Sequence, residues 1–306
     1  MFSLNMARIL VSGVSGPIGT ALIPSLKSSG ARISRLTRKG ATHSAPDEQF
    51  IPWDPAEPIT PDAVSGFDAV IHLAGESIVG RWTEAKKKEI RNSRVNGTTN
   101  LARALAQAKD KPRVFICGSA IGYYGDRGNE VLNEASASGT GFLSEVCVEW
   151  EKAASAAADA GIRTICMRTG VVLSPKGGAL GKMLTPFKMG VGGRIGNGRQ
   201  WMSWVDVQDV VGAIHHMLRT DLLQGPVNMV APKPVTNAEF TRTLASVLKR
   251  PAIFPVPGFV VRLAFGEMGK TALLGSQRVE PSMLVASGYP FRFSNLQSSL
   301  ENTIQK

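Results

Sequence analysis

Cysteine is scarce in this chain, and that scarcity excludes several protein classes at once. Cys117, Cys147 and Cys166 are the only three among 306 residues, and no two form a CxxC pair. A disulfide framework and a zinc ribbon are both excluded on that count. Histidine is nearly as rare: His43, His72, His215 and His216 stand at no metal-ligand spacing with a cysteine or carboxylate pair. No metal centre is expected. Long apolar runs are also missing. The most apolar stretch, IFPVPGFVVRLAFG, is broken by two prolines and Arg262, short of the ~18 apolar residues that a membrane span needs. The start, MFSLNMARILVSGVSG, lacks a secretory apolar core of roughly 7–15 residues with a cleavage site. A cytoplasmic protein making no membrane contact is the expectation.

What is present is a composition suited to a folded core, with 43% hydrophobic and 19% charged residues. At about 150 residues per domain, the length suggests two domains or one large one. The net charge of +11 invites an anionic partner: nucleic acid, a membrane surface or a phosphorylated small molecule. The basic residues are spread along the chain and not interleaved with aromatics, which argues against nucleic acid. A small-molecule partner is expected, and an oligomer is left open.

Short apolar runs alternate with helical periods from the start. ARILVS (7–12), ARISRL (31–36), the run within FDAVIHLAG (67–75), PRVFICGS (112–119), RTICMRTGVVL (163–173) and GPVNMVAP (225–232) read as buried strands. Between them, residues 17–30, 83–108, 142–161 and 205–220 carry helical spacing. The order predicts an α/β fold, a Rossmann-like doubly wound parallel sheet. After Pro175 a glycine-rich stretch, 174–204, reads as a loop-rich wall around a ligand. Asp206 or Asp209 opens the helix after it, and Thr236 with Glu239 forms a capping box for another. Residues 1–175, with 201–231 returning to them, are expected as the nucleotide-binding domain. Residues 176–200 and 232–306 would form a smaller substrate-side domain.

The strongest site signal is GVSGPIG, residues 13–19, between the first strand and the first helix. Gly13 permits the tight turn, Gly16 lets backbone approach a pyrophosphate, and Gly19 allows helix–strand packing. Ser15, Pro17 and Ile18 complete a phosphate cradle at a helix N-terminus. The end of the second strand selects the nucleotide. NAD sites place an acid ~20 residues past the glycines, whereas here stand Arg35, Thr37, Arg38 and Lys39, with no carboxylate before Asp47. An arginine there matches a 2′-phosphate, so NADP(H) is the expected cofactor.

Together GVSGPIG, HLAGESI, SRVNGT, GSAIGYYG, MRTGVVL and SWVDVQDV resemble the extended short-chain dehydrogenase/reductases, the NAD(P)-dependent epimerase/dehydratase superfamily. GRQWMSW, PVNMVAPKPVTNAEF and FGEMGKTALLGSQRVEP resemble its subgroup called epimerase family proteins, some of which carry a cell-division-inhibitor label. The resemblance covers nearly the whole chain. It implies that Thr37 and Arg38 bind the cofactor, with Leu73, Ala74 and Gly75 beside the adenine ribose and Glu89 and Arg94 facing the cofactor. Arg199 would meet a substrate phosphate, and Tyr124 would line the substrate pocket.

The resemblance also implies a catalytic serine, matched by Ser119, and a Tyr-xxx-Lys pair whose lysine lowers the phenol's pKa from about 10. Phe142 stands in register with that tyrosine and Val146 with the lysine. A phenyl ring moves no proton, so standard epimerase chemistry is not expected. Two readings remain: an NADP(H)-dependent oxidoreductase-like enzyme with the nicotinamide near Ser119, and a non-catalytic NADP(H)-binding protein acting through a partner. Trp201, Trp204, Cys117 and Cys166 read as packing residues, and His215–His216 as surface.

Overall fold

The computed structural model describes residues 3–38, 49–175 and 177–304; Lys39, His43 and Asp47 lie outside them. The first half alternates strand and helix: β1 (Arg8–Ser12), α1 (Pro17–Ser28), β2 (Arg32–Thr37), β3 (Gln49–Pro52), β4 (Ala69–His72), α2 (Glu84–Gln107), β5 (Val114–Ala120) and the short β6 (Val131–Leu132). Then come α3 (Phe142–Ala153), α4 (Ser155–Asp159), β7 (Arg163–Thr169), β8 (Val171–Leu173), α5 (Gly178–Lys188), β9 (Trp201–Met202), β10 (Trp204–Asp206), α6 (Val207–Arg219) and β11 (Gly225–Met229). The chain closes with β12 (Val235–Thr236), α7 (Asn237–Leu248), α8 (Gly258–Met268), β13 (Arg278–Val279), α9 (Ser282–Ala286) and α10 (Leu296–Ile304).

Seven strands form one parallel sheet in the order β11-β7-β5-β4-β1-β2-β3. The inner strands read as continuous apolar runs because helices cover both faces. Leu22, Ile23 and Leu26 of α1 and Val210, Ile214 and Met217 of α6 fill one face. Leu101 and Leu105 of α2, Trp150 of α3 and Ala157 of α4 fill the other. From β1 the chain builds outward to β2 and β3, then returns to β4 on the other side. The β1/β4 boundary is therefore the switch point, where an open α/β sheet leaves a crevice at its carboxyl edge. A further core, built on Trp204, Phe240, Leu244, Phe187 and Leu300, joins α5, α7 and α10 beside the sheet.

Local signals place the helix ends. Thr236 accepts from Glu239 N–H at 3.2 Å while Glu239 accepts from Thr236 N–H at 2.7 Å, the reciprocal capping box expected for α7. Asp206 caps α6 by accepting from Gln208 N–H at 2.8 Å. Asp209 instead accepts from the N–H groups of Arg292 and Phe293, both at 2.8 Å, and so ties the C-terminal segment to α6.

Several expectations need correction. The apolar run 163–173 is two strands: a Cβ on Gly170 would lie 2.4 Å from Ser203 O, and past that crossing β8 leaves the sheet to pair with β10. The helical stretch 142–161 is divided at Ala154 into α3 and α4. The wall 174–204 is not only loop, since α5 forms within it and buries Leu180 and Phe187. β3, which sequence periodicity did not suggest, adds an outer strand to β2.

Candidate functional site

Two chambers open at the switch point. The larger, about 590 Å³, is lined by Gly13, Ser15, Thr37, Arg38, Ala74 and Gly75, together with Arg35, Phe50, Trp53, Glu76 and Ser93. The smaller, about 170 Å³, is lined by Gly13, Gly16, Pro17, Ile18, Gly19, Leu73 and Ser119, together with Trp150 and Thr169. Gly13 belongs to both walls, so they form one cleft. The residues singled out at the glycine turn, the ends of β2 and β4, and Ser119 thus converge on it.

The glycine turn divides its work among three positions. Gly13 has φ +71°, and a Cβ there would lie 2.5 Å from Leu73 C. A Cβ on Gly19 would lie 2.5 Å from Gly13 O, whereas one on Gly16 would meet only Gly13 O, at 3.4 Å. The first and third glycines are thus required by close backbone packing, and the middle one keeps clear the space before α1. Among the described residues no side chain caps α1, and its first turn holds no acid. The unpaired amides of a helix start and its positive dipole end favour an anion at that point. The residues present fit a dinucleotide diphosphate.

A buried pair holds the opposite rim. Ser12 Oγ lies 2.6 Å from His72 Nδ1 and accepts from Ala74 N–H at 3.3 Å. Burial lowers the His72 pKa to about 4, so the ring is neutral. The arrangement fixes Leu73 and Ala74 against Gly13.

The resemblance implied that Glu89 and Arg94 face the cofactor. Glu89 is exposed on α2, 3.6 Å from Lys86. The carboxylate at the rim is Glu76, 2.5 Å from Lys86, whose hydrogen bond holds it below the ordinary value. Arg94 supports the wall from behind: it stacks on Trp150 at 5.1 Å, donates to Ile90 O at 3.2 Å, and presses on Gly75, where a Cβ would lie 3.3 Å from its Cζ. Burial lowers its pKa.

At the inner end, Ser119 Oγ donates to Glu151 Oε1 at 2.6 Å. Arg168, 3% exposed, grips the same carboxylate with Nε and Nη2, both at 2.8 Å. Burial opposes the Arg168 charge, but the bonds to Glu151 outweigh it and raise the pKa. Arg168 Nη1 donates to Tyr124 OH at 3.0 Å, and that hydroxyl donates to Asn228 Oδ1 at 2.7 Å. Tyr124 is fully buried and does not line the cleft, contrary to expectation; burial pushes its phenol up. Ser119 was expected to polarise a carbonyl by donation, but its proton is already committed to Glu151. It presents lone pairs to the cleft.

Phe142 packs on Trp82 with ring centres 5.2 Å apart, and Lys87 Nζ lies 5.4 Å from its ring. Val146 is buried in α3. Arg199 is exposed at the turn after Gly198. His215 and His216 are not simply surface: they lie within 2.9 Å of Ser25 and Ser287, stitching α6 to α1 and α9. Cys147 and Cys166 are pushed up to about 12 by burial, and Cys117 also rises well above its ordinary value, as for inert core thiols.

A doubly wound parallel sheet with a glycine turn at its switch point defines a Rossmann-like protein of the nicotinamide-dinucleotide-binding class. The chain belongs to the NAD dependent epimerase/dehydratase family, matched over residues 9–229, and its residues 256–303 match a domain of unknown function, DUF1731. A Mycobacterium tuberculosis epimerase family protein is 39% identical over 296 residues, 96% of each chain. The crystal structure of human epimerase family protein SDR39U1 with NADPH superposes with a TM-score of 0.87 at 34% identity, covering 98% of this chain and 99% of that one. A nucleoside-diphosphate sugar epimerase from Corynebacterium glutamicum gives 0.80 at 34% identity, over 99% of this chain and 59% of its own.

Proposed function

We propose that this chain is an NADP(H)-dependent, oxidoreductase-like protein of the cytoplasm that does not perform nucleotide-sugar epimerisation. The observation that carries the cofactor reading is the cationic end of β2, Thr37 and Arg38, on the wall of the larger chamber. An arginine holds a phosphate with forked, charge-assisted hydrogen bonds. The NADPH in the human relative's structure supports the same reading.

NADP(H), when bound, would supply hydride transfer. The chain's own part is the proton inventory at Ser119. A substrate hydroxyl could donate to Ser119 Oγ as the serine proton passes to Glu151 Oε1, 2.6 Å away, leaving a protonated carboxyl held by Arg168. In the opposite direction the Ser119 proton is already engaged by Glu151 Oε1, so carbonyl reduction must draw on water and is slow. Phe142 and Val146, at the positions that resemble the family's Tyr and Lys, add no proton donor.

Incubation with UDP-glucose should yield no UDP-galactose. A screen of secondary alcohols with NADP+ and of reactive dicarbonyls and quinones with NADPH should find slow turnover, below the usual enzyme range of roughly 1–10³ s⁻¹. Ser119→Ala should lower the alcohol oxidation at least several-fold while NADPH affinity is unchanged. Turnover unaffected by Ser119→Ala would overturn the relay. No turnover at all, despite tight binding, would favour the second reading, a non-catalytic NADP(H)-binding protein, for which Phe142 and Val146 already speak.

A further inference from the structure

Two segments stand apart from the cofactor cleft, residues 178–200 and 249–275. They pack on each other through the bridge of Ile195 with Val256, whose N–H donates to Arg194 O at 2.8 Å. Between them they hold eight lysines and arginines and one acid, Glu267. That makes +7 of the chain's net +11. All eight cations are exposed, and Glu267 is matched by Lys87 at 2.6 Å.

The same segments carry an apolar face. Of the fourteen large apolar side chains exposed among the described residues, eight lie here, led by Leu263 at 74% and Met189 and Ile253 at 72%, and they include the exposed phenylalanines Phe254, Phe259 and Phe265. A surface helix ordinarily turns its apolar stripe inward. α8 does the reverse: it buries only Val261 and Met268 and points Phe259, Val260, Leu263 and Phe265 outward. The stretch is the one whose apolar character stood out in the sequence but was too broken to span a bilayer.

We propose that this face docks on the surface of a bilayer containing anionic lipid. Phe254, Phe259 and Leu263 would enter the boundary between headgroups and acyl chains, while Lys188, Arg250 and Arg262 meet the headgroup charge. Exposed apolar side chains and exposed cations carried on the same two segments have the complementarity of such a surface. A second copy of the chain would bring +7 against +7 and is disfavoured by charge. The expectation of no membrane contact rested on the missing span, and surface docking needs none.

Co-sedimentation with vesicles tests it, using phosphatidylcholine alone or with about one third phosphatidylglycerol. The protein should pellet only with the anionic vesicles. The bound fraction should fall about tenfold or more in Phe259→Asp/Leu263→Asp and on raising salt from about 0.1 to 0.5 M. Unchanged melting temperature and NADPH binding would certify that the double variant is folded; if it is not, Arg250→Glu/Arg262→Glu should lose binding in the same way. No pelleting with anionic vesicles, equal pelleting by a folded variant, or a concentration-dependent dimer that the substitutions abolish would overturn the proposal.

Discussion

His72 is the residue whose charge state most directly links the sheet to pH. Its pKa is about 4 in the folded chain, against an ordinary 6.5, because it is buried without a carboxylate. The unfolded chain therefore binds a proton over a range in which the folded one does not. His72 leaves stability untouched above about pH 6.5, and stability falls as pH drops from there toward 4, by about 3 kcal/mol in all. Urea unfolding at pH 7.5 and pH 4 should show that loss in the native chain and a decline smaller by about that amount in His72→Leu. Equal declines would mean that the imidazole is not held neutral.

The proton network around Ser119 was not legible, for a reason also visible at this scale. It joins residues 119, 124, 151, 168 and 228, scattered over five elements, and no local pattern brings them together. One signal was available. Arg168 interrupts the apolar run TICMRTG, and a charge inside a buried strand demands a buried partner. Glu151 is that partner.

At the scale of elements, the sequence revealed most where causes are local. The first strand, the glycine turn and α1 follow one another within about two dozen residues, and apolar period and capping residues place α2, α6 and α7. The division of 163–173 at Gly170 was hidden because its cause, the backbone at Ser203, is remote in sequence. β3 was hidden because four residues at the sheet's edge carry too little pattern to distinguish them from a loop. The cap of α6 gives an element-scale test. Asp206, fully buried, accepts from Gln208 N–H, from Ser299 Oγ at 2.7 Å and from Thr303 Oγ1 at 3.4 Å. Asp206→Ala should cost about 2–3 kcal/mol in denaturant unfolding, since it removes a cap and strands buried donors. Burial raises this carboxyl's pKa, so Asp206→Asn should cost clearly less. Equal losses would show that the charge, not the cap, is required.

For the whole molecule, two polarities are built into one chain. One end of the sheet offers a cleft whose walls combine an open helix N-terminus with the cationic end of β2, the combination a phosphorylated dinucleotide needs. Apart from it, residues 178–200 and 249–275 carry +7 of the net +11 together with an exposed apolar face. Among the described residues no helix is long and apolar enough to cross a membrane. The glycine turn and its cofactor class were legible from a short motif in sequence context. The outward-turned α8 was not, because outward and inward apolar faces are identical in a one-dimensional pattern.

Titration calorimetry of NADPH and NADH against the native chain and Arg38→Asp tests the cofactor assignment most directly. NADPH should bind the native chain more tightly than NADH, and Arg38→Asp should weaken NADPH alone by about 10–100-fold, the loss of one or two charge-assisted hydrogen bonds. Equal affinities for the two dinucleotides, or an Arg38→Asp chain that binds NADPH as tightly as the native one, would contradict it.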